Sequence, residues 1–261
     1  MRNWPVALLV VVIAAIVAIT QFRGADQPSP LPRTPDGQPS LNGVWQVLTT
    51  AAWDIQDHHA QLGVPAGQGV VEGNEIPYQP WALAKKLENF KNRLKADLTD
   101  ARGFLPGVPR IMYMPFPFQI VQTPRYVTLV YEWGHAVRII YTDGTKHPEG
   151  HIDFWLGDSR GRWEEDTLVS DVIHFNEETW FDKAGNFHSE ALHLVERFTL
   201  VGPDHINYEV TVEDPKVFTR PWKMSMPLYR RKEPNVRILE YEAGALMEEE
   251  AEKPAEQGKS R

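Results

Sequence analysis

Between residues 118 and 241 short apolar runs alternate with turn residues, and this rhythm constrains the fold more than any other feature of the chain. The runs fall at 118–123, 126–132, 136–141, 153–156, 161–165, 167–175, 192–201, 205–213, 222–229 and 236–241. Thr123-Pro124, Trp133-Gly134, Asp143-Gly144, Gly157-Asp158, Gly202-Pro203-Asp204 and Asp214-Pro215 stand between them. Gly, Asp and Pro at such joints supply the backbone angles that tight turns require. No strand–helix–strand rhythm appears, so a parallel sheet is not expected. Nine or ten antiparallel strands leave edges exposed unless they close or fold over. The expected fold is mainly β: an antiparallel lipocalin-like barrel or a strongly curved sheet, with a β-sandwich as second choice.

A further strand is expected at 43–49, and one helix at 80–98. In that helix Trp81, Leu83, Ala84, Leu87, Phe90, Leu94 and Leu98 recur at spacings near three and four, with Lys, Glu and Asn between them, the pattern of a helix with one apolar face. Pro80 suits its first turn. This helix is expected to lie against one end of the β body. Pro106, Pro109, Pro115 and Pro117 follow it and rule out a regular central strand there.

The ends of the chain differ from its middle. Residues 4–20 carry no charge and are almost wholly apolar. As a helix they rise roughly 25 Å, just short of the ~30 Å hydrocarbon core of a bilayer. Two readings fit residues 1–23: an uncleaved membrane anchor, or a signal peptide whose exit lacks a clean small-x-small site. Arg2 ahead of the apolar stretch favours an N-inside start in either case, which exports the rest. Residues 24–40 contain five prolines and form a tether, residues 41–241 one β domain, and residues 242–261 a polar tail.

Composition narrows the chemistry. With 27 basic and 35 acidic residues the net charge is −8. No Lys/Arg stripe is visible, so a nucleic-acid partner is not expected. Cysteine is absent, which excludes disulfides, thiolate metal sites and cysteine nucleophiles. There is no phosphate-binding or dinucleotide-binding glycine motif and no nucleophile elbow, so no cofactor is expected. His147 and His151 have ligand-type neighbours, but Pro148 and Gly150 prevent a helical i, i+4 metal pair, and no metal is expected.

A charge flanked by apolar residues at i±2 in a strand points inward. Glu196 shares a face with Leu192, Leu194, Phe198 and Leu200; Asp171 shares one with Val169, Ile173 and Phe175; Arg138 shares one with Ile140. Buried carboxylates need partners, and Arg138 or Arg197 could supply one. Arg138, Asp171 and Glu196, with His135 and His174 as possible proton carriers, form the candidate polar cluster. It reads either as a site in a barrel lumen or as ion pairs knitting strands. Trp155, Trp163, Trp180 and Trp222 either line an apolar cavity or fill the core.

The stretch 155–169 reads WLGDSRGRWEEDTLV. Arg138, Asp143-Gly144 and His147-Pro148 precede it; residues 192–198 (LHLVERF), Asp214-Pro215 and Arg220-Pro221-Trp222 follow it. Together they resemble a large family of exported bacterial proteins, usually left as hypothetical, over roughly residues 104–241. The resemblance implies an exported β-rich domain and supplies no reaction. Relatives carry one Cys just before a P-x-G-x-P segment and a second in a C-H-E-G-N-like stretch after a final Y-E-Y. Here those places read Gly103 to Pro109 and Glu240 to Ala245, without either Cys. Their joint loss fits a disulfide in relatives, and the His, Glu and Asn beside the second Cys are gone as well, which favours a non-catalytic role.

Three functions remain: a membrane-tethered domain that binds an apolar or aromatic small molecule, an extrinsic accessory subunit of a membrane complex, and a cofactor-independent lyase, isomerase or hydratase that uses Asp171 or Glu196 as acid or base. The membrane itself is the expected partner of residues 4–20.

Overall fold

The computed structural model describes residues 31–60 and 64–242. Nine strands close into one barrel in chain order: β1 (Gly43–Val47), β2 (Phe118–Gln122), β3 (Tyr126–Tyr131), β4 (Val137–Tyr141), β5 (Asp158–Glu164), β6 (Thr167–Ile173), β7 (His193–Gly202), β8 (His205–Glu213) and β9 (Trp222–Arg230). The last strand returns to the first, with Trp45 opposite Arg230 and Val47 opposite Leu228. Closure removes both edges and excludes the open curved sheet and the sandwich. Every pairing is antiparallel except β4 with β5, which run parallel and touch only at Ile140↔Ser159 and Tyr141↔Arg160. That seam is the weakest in the wall, because the chain must first travel back along the barrel through residues 142–157 before β5 begins.

Two expected strands are not strands. Residues 153–156 contribute a single bridge, Phe154 to Phe175, and 236–241 a single bridge, Tyr241 to Trp133. The barrel closes without them, so neither finds an open edge to extend. The strand expected at 161–165 begins earlier, at Asp158, because Gly157 takes a positive φ of 67° and makes the turn there.

Alternating side chains fill the interior. Leu129, Ile140, Leu168, Val172, Leu194, Phe198, Tyr208, Val210, Met224 and Leu228 are fully buried within one apolar cluster. The barrel interior is thus lined and largely filled by its own side chains, as in small barrels.

The helix at 80–98 ends earlier than its pattern suggests: α1 spans Pro80–Ala96, and Leu98 opens a second short helix, α2 (Leu98–Arg102). The packing face of α1 is also not the expected one. Its buried residues are Ala82 and Asn89, and the Asn89 amide donates to the Gly185 carbonyl at 3.3 Å. The larger apolar side chains Trp81, Leu83, Leu87 and Leu94 are exposed. The close approach at Gly185 explains this choice. A Cβ there would lie 2.6 Å from the Lys86 carbonyl, so the helix backbone rests directly on a glycine and only small residues fit between.

Asp97 caps α2, accepting from the Thr99 N–H at 3.2 Å, and Gly103 ends it in the left-handed region. A third helix, α3 (Arg110–Tyr113), is wholly buried and brings Ile111, Met112 and Tyr113 into the core. No helix among the described residues is long and apolar enough to cross a membrane. The expected anchor at residues 4–20, residues 24–30 of the tether and residues 243–261 of the tail lie outside the described residues.

Candidate functional site

The candidate polar residues divide between the two faces of the wall. Arg138 and Glu196 point inward. The guanidinium of Arg138 donates to both Glu196 oxygens, at 2.9 Å through Nη1 and more closely through Nη2. Its Nε donates to Ser159 Oγ at 3.0 Å, and the Tyr208 hydroxyl donates to Glu196 Oε1 at 2.7 Å. Burial works against the Arg138 charge, but Glu196 beside it keeps its pKa above the ordinary arginine value. Burial pushes the Tyr208 phenol well up, and Glu196 adds to that shift. Both oxygens of Glu196 accept hydrogen bonds, so this pair knits β4 to β7, and Arg138 and Ser159 also line a hollow over the β4–β5 seam.

Asp171 does not join them, contrary to expectation. It lies on the outer face of β6, opposite Arg160 and Val195. The inward residues of β6 are Leu168, Ser170 and Val172. Val169 is also fully buried, so apolar residues occupy both faces of this strand and alternation could not choose between them.

On that outer face Asp171 belongs to a chain of acids and imidazoles. His147 Nδ1 lies 2.7 Å from Asp158 Oδ1 and its Nε2 lies 2.9 Å from Asp171 Oδ1. His193 Nε2 lies 2.9 Å from Asp171 Oδ2, and its Nδ1 is 3.5 Å from Glu213. Arg160 donates to both oxygens of Asp158. Hydrogen bonding to His193 holds the Asp171 carboxyl below its ordinary value of 3.8, and the same contact raises His193 above 6.5. Both oxygens of Asp171 are engaged, so the chain as it stands ties β5, β6 and β7 to the 142–157 loop. The Asp171 part of this stabilisation is present above pH ~3.8 and fades as pH falls through the lowered value. The His193 part is complete below pH ~6.5 and fades as pH rises through the raised value. His193→Gln is therefore expected to destabilise the protein more at about pH 5.5 than at about pH 9, by under about 1 kcal/mol because both groups are partly exposed. Urea unfolding at the two pH values checks this; an equal loss at both would remove the charged pairing.

His135 sits in the β3–β4 turn with a φ of 52°, half exposed, 3.5 Å from Glu242. His174 follows β6 and its Nε2 bonds the Pro148 carbonyl at 3.0 Å. Neither approaches the Arg138–Glu196 pair through a hydrogen bond. Among the described residues no group of three or more His, Asp or Glu converges to hold a metal ion.

The four candidate tryptophans do not share a cavity. Trp222 packs edge-on to Phe181 and Phe218. Trp180 is buried and bridges Phe187. Trp163 lies on β5 against the core. Trp155 stands edge-to-face with Phe104, 5.3 Å away, beside a hollow of about 390 Å³ over the β4–β5 seam that Val137, Ile139, Phe154 and Asp158 also line.

A different set of aromatics lines a hollow of about 590 Å³. Phe116, Trp133 and Tyr241 form a three-ring cluster with centroid separations of 4.4 to 5.3 Å. Trp53 adds a fourth ring, with the Arg93 guanidinium 5.7 Å from its centroid. Local chain rules place them. Pro115 and Pro117 keep Phe116 out of the ladder just before β2. Trp133 follows β3 at a turn made by Gly134, whose φ is 57°, and the Gly134 N–H donates to the Tyr241 carbonyl at 3.1 Å. The polar element is the Lys183–Asp100 ion pair, 2.7 Å apart, whose two residues both line the hollow. The Trp133 indole N–H is buried and has no hydrogen-bond partner among the described residues. Sequence periodicity missed this set because its members stand in turns and Pro-rich segments, where no repeat reports a shared face. The one available signal was the density of aromatics beside turn residues.

No protein-family model, curated protein or solved structure matches this chain.

Proposed function

We propose that this chain is an exported, membrane-tethered β domain that binds an apolar or aromatic small molecule, and that the ligand occupies the pocket walled by Trp53, Phe116, Trp133 and Tyr241. The carrying observation is that pocket: about 590 Å³, mainly apolar with four aromatic side chains in its wall, and with Lys183 as the only basic residue among the described ones that line it. Pockets of this size and lining are the usual form of small-molecule sites. A larger hollow, of about 750 Å³ between the Val47–Thr50 and Gly67–Glu72 stretches, lacks aromatic walls. Arg138 and Glu196 are engaged with each other, and Lys183 is the polar anchor of this pocket. A ligand with a carboxylate or carbonyl could reach Lys183 while its apolar body stacks on the rings. Export and tethering rest on residues 1–23 and on the resemblance carried by 155–169.

The experiment is native mass spectrometry of the full chain after mild extraction from its own membrane. A bound small molecule is expected as a discrete added mass, weakened about tenfold in Trp53→Ala, the loss of roughly 1.5 kcal/mol of stacking. Recovery with another protein in fixed stoichiometry and no added small mass would instead establish the accessory-subunit function.

A further inference from the structure

Helix α1 presents its leucines to solvent, with Phe90 half-buried beside them and covered by the Arg93 guanidinium, 4.3 Å from its ring. Leu83, Leu87, Phe90 and Leu94 follow one another at spacings of four, three and four. At 3.6 residues per turn they fall within an arc of roughly 60°. Leu94 is 81% exposed, Leu87 53% and Leu83 49%. A glycine-backed contact holds the opposite edge, at Ala82 and Asn89, against the barrel, so the stripe cannot turn inward without lifting the helix.

Charge shows what could cover it. The chain as a whole is acidic at −8, yet Pro80–Ala96 carries five basic side chains and one acidic one. Lys86 and Arg93 flank the stripe on one side and Lys91 on the other, by the same helical geometry. Lys91 and Lys95 form no ion pair among the described residues. A second copy of the helix would suit the four-three spacing, but its flanking positions would bring Lys and Arg against Lys and Arg, and two heptads are too few to offset that repulsion. A surface that is apolar beneath and anionic above fits both features: leucines enter the acyl boundary while lysines reach back to the headgroups.

We propose that α1 lies in the plane of an anionic bilayer, with Leu83, Leu87, Phe90 and Leu94 in the interfacial region and Lys91 and Lys95 paired with lipid headgroups. Arg93 spans α1 and Trp53, 5.7 Å from the ring centroid, so the docked helix is tied to one wall of the aromatic pocket. The docking itself does not depend on what that pocket binds.

The absence of cysteine makes a single introduced thiol a unique label site. Full-length chains with Leu87→Cys, Leu94→Cys or Asn92→Cys, each spin-labelled, are reconstituted in vesicles of phosphatidylcholine alone or mixed with phosphatidylglycerol. The readout is local collision with oxygen against an aqueous nickel complex, which separates α1 from any other lipid-binding part of the chain. At 87 and 94 the labels are expected to move from water to lipid in the anionic vesicles only, while the label at 92, on the opposite side of the helix, stays aqueous in both. Lys91→Glu with Lys95→Glu is expected to abolish the shift; circular dichroism confirms that this variant folds. Aqueous labels at 87 and 94 in anionic vesicles overturn the proposal. So does immobilisation or dipolar broadening of those labels without lipid, which would assign the stripe to a second copy or to the chain's own acidic residues 248–252.

Discussion

Glu196→Gln is expected to lower stability by about 3–5 kcal/mol, the cost of leaving one member of a buried ion pair without its partner. The substitution keeps shape and one acceptor oxygen. It removes the charge that compensates Arg138, which is 3% exposed in a packed interior. The orphaned guanidinium then sits among apolar residues with only Ser159 and a neutral amide to bond. For a domain of about two hundred residues this corresponds to a fall of roughly 10 °C or more in melting temperature. Removing both charges should behave differently. Arg138→Met with Glu196→Leu leaves no buried charge, and Tyr208→Phe removes the hydroxyl that would otherwise lose its acceptor. That triple variant is expected to recover most of the loss, because well-packed apolar replacements of buried pairs are often neutral or better. Thermal unfolding of the two variants distinguishes the cases. If Glu196→Gln melts with the parent, water reaches Arg138 and the barrel centre is not sealed.

The same residues show what the sequence could and could not reveal. Turn chemistry and two-residue alternation were enough for a mainly β body that closes, and they put Glu196 and Arg138 on the inner face where the two meet. Alternation failed at β6, where Val169 and Val172 are both buried, since a strand covered on both sides has no polar face to mark. It also admitted 153–156 and 236–241 as strands, because a short apolar run says nothing about whether a partner edge is free. Three-four periodicity located α1 but predicted the wrong contact face: Gly185 and Asn89 decide which edge can approach, and a single glycine leaves no periodic trace. The aromatic pocket was hidden for a related reason. Phe116, Trp133 and Tyr241 are far apart in sequence and meet only because the barrel brings the start of β2 and the end of β3 together at one rim.

A second buried pair sits at that rim, and breaking it is expected to cost as much as breaking the first. Arg110 is fully buried and donates to Asp97 through Nη1 at 3.0 Å and Nη2 at 2.8 Å. Asp97 is also the cap of α2. Asp97→Asn separates these roles, because Asn caps helices as well as Asp does while presenting an N–H where Arg110 requires an acceptor. The expected loss is about 3–5 kcal/mol, read by urea unfolding; no loss would mean that the cap alone matters, since Asn preserves it. Asp100 is the control. It meets Arg110 only at 3.5 Å, pairs with Lys183 at 2.7 Å, and is partly exposed. Asp100→Asn should cost under about 1 kcal/mol in stability, yet it releases Lys183 inside the aromatic pocket. If that pocket takes an aromatic acid, Asp100→Asn should bind it more tightly while Asp97→Asn, which loosens the segment that carries Asp100, binds it more weakly. Opposite signs from two neighbouring carboxylates would separate a ligand anchored by Lys183 from one held by the rings alone.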